Sequence, residues 1–369
     1  MKLTSARRGI VPGIAVLALA LTACGADNED TGSGSDGSGS EGSSVSGTLS
    51  GGGASTQQAA MGAWAVGFQD ANPGATINYD PVGSGGGREG FVSGGFPFAG
   101  SDDPLEGDEL AAAQDNCGGD VIEIPDYVSP IALVYNLPGV DGLNLAPDTI
   151  AGIFAGQITS WDDAAIAADN PDADLPSSPI NPVHRSDESG TTGNFTDYLT
   201  AVSPDTWDVG VIEEWPKQYG GEGAAQTSGV VQAVTNGENS IGYADASQAA
   251  GLQVANVGVG DDFVEPSAEA AAKILDASTL QDGRSDTDLA YDLDRTTAEA
   301  GTYPVVLTSY LLLCPTYADQ ETADLVKAFA GYVVSADGQE QAAGEAGSAP
   351  LSSELQDKAA SIIDGITAG

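Results

Sequence analysis

The chain has 369 residues, with 54 acidic side chains against 11 basic ones and a formal net charge of −43. So acidic a protein is excluded as a binder of nucleic acid, because phosphate backbones are neutralised by Lys and Arg. One histidine and three cysteines leave little for a His-rich metal centre or a histidine-based catalytic site.

The first segment, MKLTSARRGIVPGIAVLALALTAC, starts basic, continues apolar and ends in small residues. It reads as an export signal, with an apolar run too short for an ordinary membrane span. Its ending, Leu21-Thr22-Ala23-Cys24, resembles a lipobox, which implies cleavage after residue 23 and a lipidated Cys24 as the mature terminus. Lipid chains would hold the protein to a membrane face, outside the cytoplasm, while the folded body stays in water. Loss of Lys2, Arg7 and Arg8 leaves 8 basic residues and a net charge of −46. Residues 24–47 are rich in Gly and Ser and read as a solvated tether. Folding is expected to begin near Thr48, leaving roughly 320 residues and two domains.

Strand and helix patterns then alternate. Ala60, Met61, Trp64 and Phe68 fall at helical spacing, with Ser55 expected as the N-cap. ATINYDPV alternates as a strand and ends at GSGGG, which opens a second helix. FPFAGSDDPL and the β-rich VIEIPDYVSPIALVYNLPG follow. DTIAGIFAGQITSW is helical, with Ile150, Ile153 and Phe154 on one face. INPVHRSD is a strand, and ESGTTGNFTDYLTAVS opens a helix that turns Phe195, Tyr198 and Leu199 inward. SIGYADASQAA and YPVVLTSYLLLCP are further strands, and TADLVKAFAGYVVS is a helix. There is no internal repeat, and the alternation argues for α/β layers. Trp64 and Trp161 belong to apolar patterns, whereas Trp207 and Trp215 are undecided. Cys117 and Cys314 are either bridged or two buried thiols.

Three segments share one design, in which a strand ends and Ser, Thr and Gly start a helix: GGGASTQ (51–57), VGSGGG (82–87) and RSDESGTT (185–192). A helix start presents unpaired N–H groups and partial positive charge, which suits an anion. Any one of these turns is better explained by capping alone, and only three in one chain, one of them carrying Arg, shift the balance. Arg185 adds a planar fork of donors, and Asp187 can clamp that fork. Asp102, in FAGSDDPL, is either a helix N-cap or an acceptor facing the anion. A carboxylate beside an anion makes sense if the anion carries a proton, because ionised Asp only accepts hydrogen bonds. Such a group favours hydrogen phosphate over fully ionised sulfate.

Taken together, GGGASTQQAA, YDPVGSGGG, FPFAGSDDPL, GQITSWDDAAIA, HRSDESGTTGNFTDYL, NSIGYADASQA and YPVVLTSYLLL resemble the phosphate-binding lipoproteins of bacterial phosphate ABC importers. The motifs occur in the family's order over most of residues 48–350. The resemblance implies an α/β, two-lobed periplasmic-binding-protein fold (type II, Venus-flytrap) with inorganic phosphate in the cleft. It implies lobe I from residues 48–127 plus 303–369 and lobe II from 128–302, with crossings near 126–130 and 300–304. Cys117 and Cys314 then share a lobe, which favours a bridge. Carried over by motif, the phosphate contacts are Ser55, Thr56, Ser84, Asp102, Arg185, Ser189, Gly190 and Thr191, with Asp187 orienting Arg185. The implied partner is an ABC permease in the membrane, reached by a monomeric, lipid-anchored receptor with no cofactor, no metal and no catalysis. Three positions depart from the common pattern: Thr56 replaces an aromatic residue, Glu188 replaces a glycine, and Gly85 replaces a second serine. The Glu188 carboxylate is therefore expected to point away from the ligand.

Two other classes compete. A secreted phosphatase-like hydrolase needs a base beside its nucleophile, yet His184 lies on a strand and no GxSxG elbow occurs. The same fold binding another oxyanion is the second. The acidic run 285–297, with Asp286, Asp288, Asp292 and Asp294, lacks the mid-loop Gly and closing Glu of a calcium loop and is expected to be solvated surface.

Overall fold

The computed structural model describes residues 45–369; the expected export signal, Cys24 and nearly all of the expected tether lie outside the described residues. Regular structure begins at β1 (Ser46–Gly53), two residues ahead of the expected start. There follow α1 (Gln58–Ala71), β2 (Gly74–Asp80), α2 (Ser84–Val92), β3 (Phe98–Ser101), α3 (Gly107–Cys117) and β4 (Ile122–Asn136). Later come β5 (Asn181–Arg185), α4 (Gly190–Val202), β6 (Glu222–Ala224), α5 (Gln226–Asn236), β7 (Ser240–Asp245), β8 (Gln253–Val259), β9 (Val306–Leu313) and α6 (Gln320–Val334). Within an 11-stranded sheet the main path runs β2-β1-β3-β9-β4-β7-β5-β6, and β8 also pairs with β4.

The long strand β4 organises this sheet. Its residues from Ile122 to Pro130 pair antiparallel with β9, and those from Ile131 to Asn136 pair antiparallel with β7. Ile131 N also donates to Val305 O at 2.7 Å, just ahead of β9. β4 is buried along all but its last residue, Glu123, Asp126 and Ser129 included, because both of its faces are covered. β1 pairs parallel with β2 and β3, and β5 pairs parallel with β6 and β7. Two parallel arrays are thus joined through antiparallel strands.

The α1 stripe of Ala60, Met61, Trp64 and Phe68 is buried against this frame, with Phe68 edge-on to Phe329 of α6 at 5.5 Å. Phe195 of α4 packs on Phe154 and Tyr243. Trp207 is core, 1% exposed, whereas Trp215 is half-buried and stacks on His184. Cys117 at the end of α3 and Cys314 after β9 are disulfide-bonded, with Cα atoms 5.2 Å apart.

Two expectations are corrected. Ser55 does not cap α1, which begins at Gln58 after a turn at residues 55–57, with Gln57 in the cap position and no side-chain cap. Nor is the acidic run wholly solvated surface. Asp288 is 5% exposed and accepts from Arg284 Nη1 at 3.0 Å, beside the buried Glu123. A buried carboxylate is retained when a cation is brought to it, and Arg284 stands four residues away.

Candidate functional site

The site lies where parallel strands end. In α/β sheets the carboxyl ends of parallel strands, followed by helix N-termini, form natural crevices for ligands. Here β1 runs into Ser55 and Thr56, β2 into Ser84, β3 into Asp102, and β5 into Ser189, Gly190 and Thr191. Ser84 is the first residue of α2. Ser189 is the N-cap of α4 and accepts from Thr192 N at 3.3 Å. Asp102 stands five residues before α3, so the N-cap alternative does not describe it.

Asp102 gathers the other segments. Its Oδ1 accepts from Thr56 Oγ1 at 2.6 Å and from Ser309 Oγ of β9. Its Oδ2 accepts from Thr191 Oγ1 at 3.2 Å. Its backbone N–H donates to Ser84 Oγ at 3.1 Å, and its carbonyl accepts from Asn194 Nδ2 at 2.7 Å. The carboxyl group is almost completely buried, 2% exposed. Burial pushes its pKa up, while the Ser309 and Thr56 hydroxyls, the Arg185 charge and the Thr191 hydroxyl act in the opposite direction. An ionised carboxylate offers about four lone-pair positions. Three hydroxyls of this chain fill three of them, which leaves room for one more proton donor.

Arg185 approaches from the other parallel array. Its Nη1 donates to Thr191 Oγ1 at 3.3 Å, so a chain of hydrogen bonds runs from Arg185 through Thr191 to Asp102. Its Nε donates to Asp187 Oδ1 at 2.8 Å, and Nη2 donates to Asp187 Oδ2. Asp187 thus orients the fork from one edge and leaves Nη1 directed toward the buried hydroxyls. Burial would raise the Asp187 pKa, but the Arg185 hydrogen bonds and charge, with the Gln226 N–H at 3.0 Å, outweigh it and hold it below the usual range.

The remaining predicted residues come to the same place. Ser55 Oγ accepts from Thr227 N at 3.1 Å and lies 3.0 Å from Thr227 Oγ1, and Ser55 O accepts from Gln248 Nε2 at 2.8 Å. Gly190 packs face to face with the Asp102 turn, where a Cβ would fall 2.8 Å from Asp102 Cβ and 2.9 Å from Asp103 N. Gly83 has φ of +96°, and a Cβ there would sit 2.8 Å from Asp187 Oδ2. Only glycine accepts both that backbone and that neighbour. Ser55, Thr56, Ser84, Asp102, Arg185, Ser189 and Thr191 are all at most 2% exposed.

Sequence reasoning missed Thr227, Ser309, Asn194 and Tyr243. Tyr243 OH accepts from Arg185 N at 3.2 Å and shares a 2.7 Å hydrogen bond with Thr192 Oγ1. Ser309 carried one usable signal, a hydroxyl pair with Thr308 inside the mainly apolar run YPVVLTSYLLL. Thr227 carried none, because it sits 172 residues from its partner Ser55. His184 faces elsewhere: its ring stacks on Trp215 at 4.8 Å, and Nδ1–H donates to Arg185 O at 2.8 Å. Among the described residues, no group of three or more His, Cys, Asp and Glu is placed to hold a metal ion.

Chemically this is a buried cluster of donors around the Asp102 carboxylate, with Asp187 committed to Arg185. Fixed hydroxyls, helix N-termini and a guanidinium surround a tetrahedral oxyanion well, and Asp102 accepts only from an oxyanion that bears a proton.

A family model described as a PBP superfamily domain matches residues 38–337. The chain is 37% identical over 368 residues to the phosphate-binding protein PstS 3 of Mycobacterium tuberculosis (strain ATCC 25618 / H37Rv), covering 98% of this chain and 99% of the relative. It is 32% identical over 311 residues to the phosphate-binding protein PstS of Xylella fastidiosa, covering 80% and 81%. Among solved structures it is similar to a high affinity periplasmic phosphate-binding protein (PfluDING) bound with phosphate, with a TM-score of 0.66, 24% identity, and 84% and 92% of the two chains covered. A phosphate-binding protein from Stenotrophomonas maltophilia gives a TM-score of 0.66 at 18% identity, covering 85% and 93%. These structural likenesses carry the fold, which is the two-lobed α/β architecture of the type II periplasmic-binding proteins.

Proposed function

This chain belongs to the family of bacterial phosphate-binding proteins of ABC importers, and we propose that it is itself a high-affinity receptor that delivers inorganic phosphate to a membrane permease. The observation that carries the reading is the Asp102 carboxylate, ringed by Thr56, Ser309 and Thr191 hydroxyls beside the Arg185 fork. Phosphate would contact Ser55, Thr56, Ser84, Asp102, Arg185, Ser189, Gly190 and Thr191, stripped of water. Asp102 would accept the P–OH, and Asp187 would hold Arg185 in register. Sulfate presents a bare oxygen to Asp102, and the unpaired acceptor rejects it.

Lobe I is assigned to residues 48–127 and 303–369, and lobe II to 128–302. The handover of β4 from β9 to β7 after Pro130, next to the Ile131–Val305 hydrogen bond, supports hinges at these crossings. Phosphate binds both lobes and favours the form in which all donors are satisfied, so it shifts the population toward closure. The receptor works outside the cytoplasm as a monomer, held to the cell membrane by lipid on Cys24. The tether over residues 24–47 keeps its concentration high near the permease.

The function is binding without chemistry. The placement of His184, stacked on Trp215 with Nδ1–H committed to a carbonyl, supports this over a phosphatase-like hydrolase. Calorimetric titration of the purified protein tests the proposal. Phosphate should bind one to one with Kd of about 1 μM or tighter, and a phosphate monoester should not be turned over. Steady ester hydrolysis would favour the enzyme, and an oxyanion that outcompetes phosphate would redirect the assignment.

A further inference from the structure

We propose that Arg88 is an ionic latch for this site, a positioning residue that joins three anion-facing turns by cancelling carboxylates that otherwise drive them apart. The inference rests on the phosphate-receptor reading above. Arg88 lies one turn after Ser84 on α2 and is 1% exposed, unusual for the longest cationic side chain in so acidic a protein. Every nitrogen of its guanidinium is engaged. Nε donates to Glu109 Oε2 at 2.9 Å. Nη1 donates to Ser101 Oγ at 3.1 Å and to Glu213 Oε1 at 2.9 Å. Nη2 donates to Glu188 Oε1 at 3.2 Å and to Glu213 Oε2.

These partners stand next to the ligand turns. Ser101 precedes Asp102, and Glu188 precedes Ser189. Glu213 grips the third turn a second way, since its carbonyl accepts from Ser189 N at 3.3 Å. One side chain therefore connects the Ser84, Asp102 and Ser189 turns without itself facing the anion cluster.

The charge count gives the latch its sign. Three carboxylates converge on one cation, and Asp103, Glu106 and Glu214 line the same cleft of about 640 Å3. Without Arg88 the segments carrying Glu109, Glu188 and Glu213 repel one another where the structure brings them together. The side chains of Glu109, Glu188 and Glu213 are 44%, 46% and 25% exposed, so salt screens them partly.

Two further residues belong to this device. Arg88 Nη2 holds the Glu188 carboxylate away from the ligand cluster. Gly85 makes room for it: a Cβ at Gly85 would fall 2.6 Å from Glu188 Cδ and 2.7 Å from Cγ. Changes at these two positions should therefore couple through contact.

Stopped-flow phosphate release and calorimetry on the full chain test the latch. Arg88→Ala should weaken phosphate binding by about tenfold to 100-fold, mostly through faster release. Adding Glu188→Gln and Glu213→Gln to that variant should restore most of the loss. The deficit of Arg88→Ala should also shrink as NaCl rises from ~0.05 M to ~1 M. Loss of packing alone would produce neither recovery. Should Arg88→Ala fail to fold, Glu213→Gln carries the test, with release expected several-fold faster. Unchanged release in the variants, with a wild type that binds phosphate, overturns the latch alone. A wild type that does not bind phosphate overturns the reading of the site, and the latch with it.

Discussion

At the scale of single residues, function rests on how buried charges are partnered. Arg185→Ala removes the fork and leaves Asp187 without its cation. Phosphate affinity should fall on the order of 100-fold, read by calorimetry. Asp187→Asn keeps the fork but loosens its aim and should cost about tenfold, in keeping with the usual effect of an orienting partner. Asp245 provides a pH test away from the ligand. It is buried, accepts from Tyr127 OH at 3.0 Å and Ser247 N at 2.9 Å, and burial pushes its pKa up from 3.8 to about 6 despite these donors. Because the folded pKa is raised, the stability it contributes is fully present below pH 3.8 and lost as pH rises through about 6. Relative to Asp245→Asn, the wild type should lose about 2 kcal/mol between pH 4 and pH 7, measured by denaturant unfolding. The donors Ser55, Ser84 and Arg185 were legible in the sequence because Ser, Thr, Gly and Arg cluster at turns. Thr227 was not, because the approach of α5 brings it in from a distant part of the chain, and the hydroxyl of Ser309 reaches Asp102 only through the pairing of β9 with β3.

At the scale of elements, the helices with a clear apolar stripe were readable. The α1 positions Ala60, Met61, Trp64 and Phe68 are all buried, as are Phe195, Tyr198 and Leu199 of α4. Boundaries were less legible. The helix expected over DTIAGIFAGQITSW covers only Pro147–Phe154, because Gly156 adopts φ of +70° and ends it. That β4 is one strand serving two partners could not be read from its sequence, in which buried Glu123, Asp126 and Ser129 interrupt the apolar residues with no period that marks the handover. Close contact between elements makes a sharp prediction at Gly190. Gly190→Ala should push the start of α4 off the Asp102 turn and weaken phosphate binding at least tenfold, roughly the cost of overpacking a tight contact. The disulfide works on another quantity. It closes a separation of 197 residues between α3 and the end of β9. The loop-entropy relation assigns such a closure about 5 kcal/mol at most. A Cys117→Ser/Cys314→Ser protein should unfold at lower denaturant while keeping its phosphate affinity.

For the whole molecule, the formal charge of −43 repels anions at long range, yet the buried cluster around Arg185 is locally rich in donors. Solubility and ligand capture are therefore assigned to different parts of the structure. Phosphate should raise the unfolding temperature in a concentration-dependent way, because a ligand that binds only the folded state stabilises it by mass action. The central claim is that Asp102 selects an oxyanion carrying a proton. Side-by-side calorimetric titration of the wild type and Asp102→Asn with phosphate and sulfate addresses it most directly. The wild type should take phosphate and refuse sulfate, and the variant should lose that preference by on the order of 100-fold or more. Equal preference in the two proteins would contradict the role given to Asp102, and sulfate binding by the wild type as tight as phosphate would contradict the account as a whole.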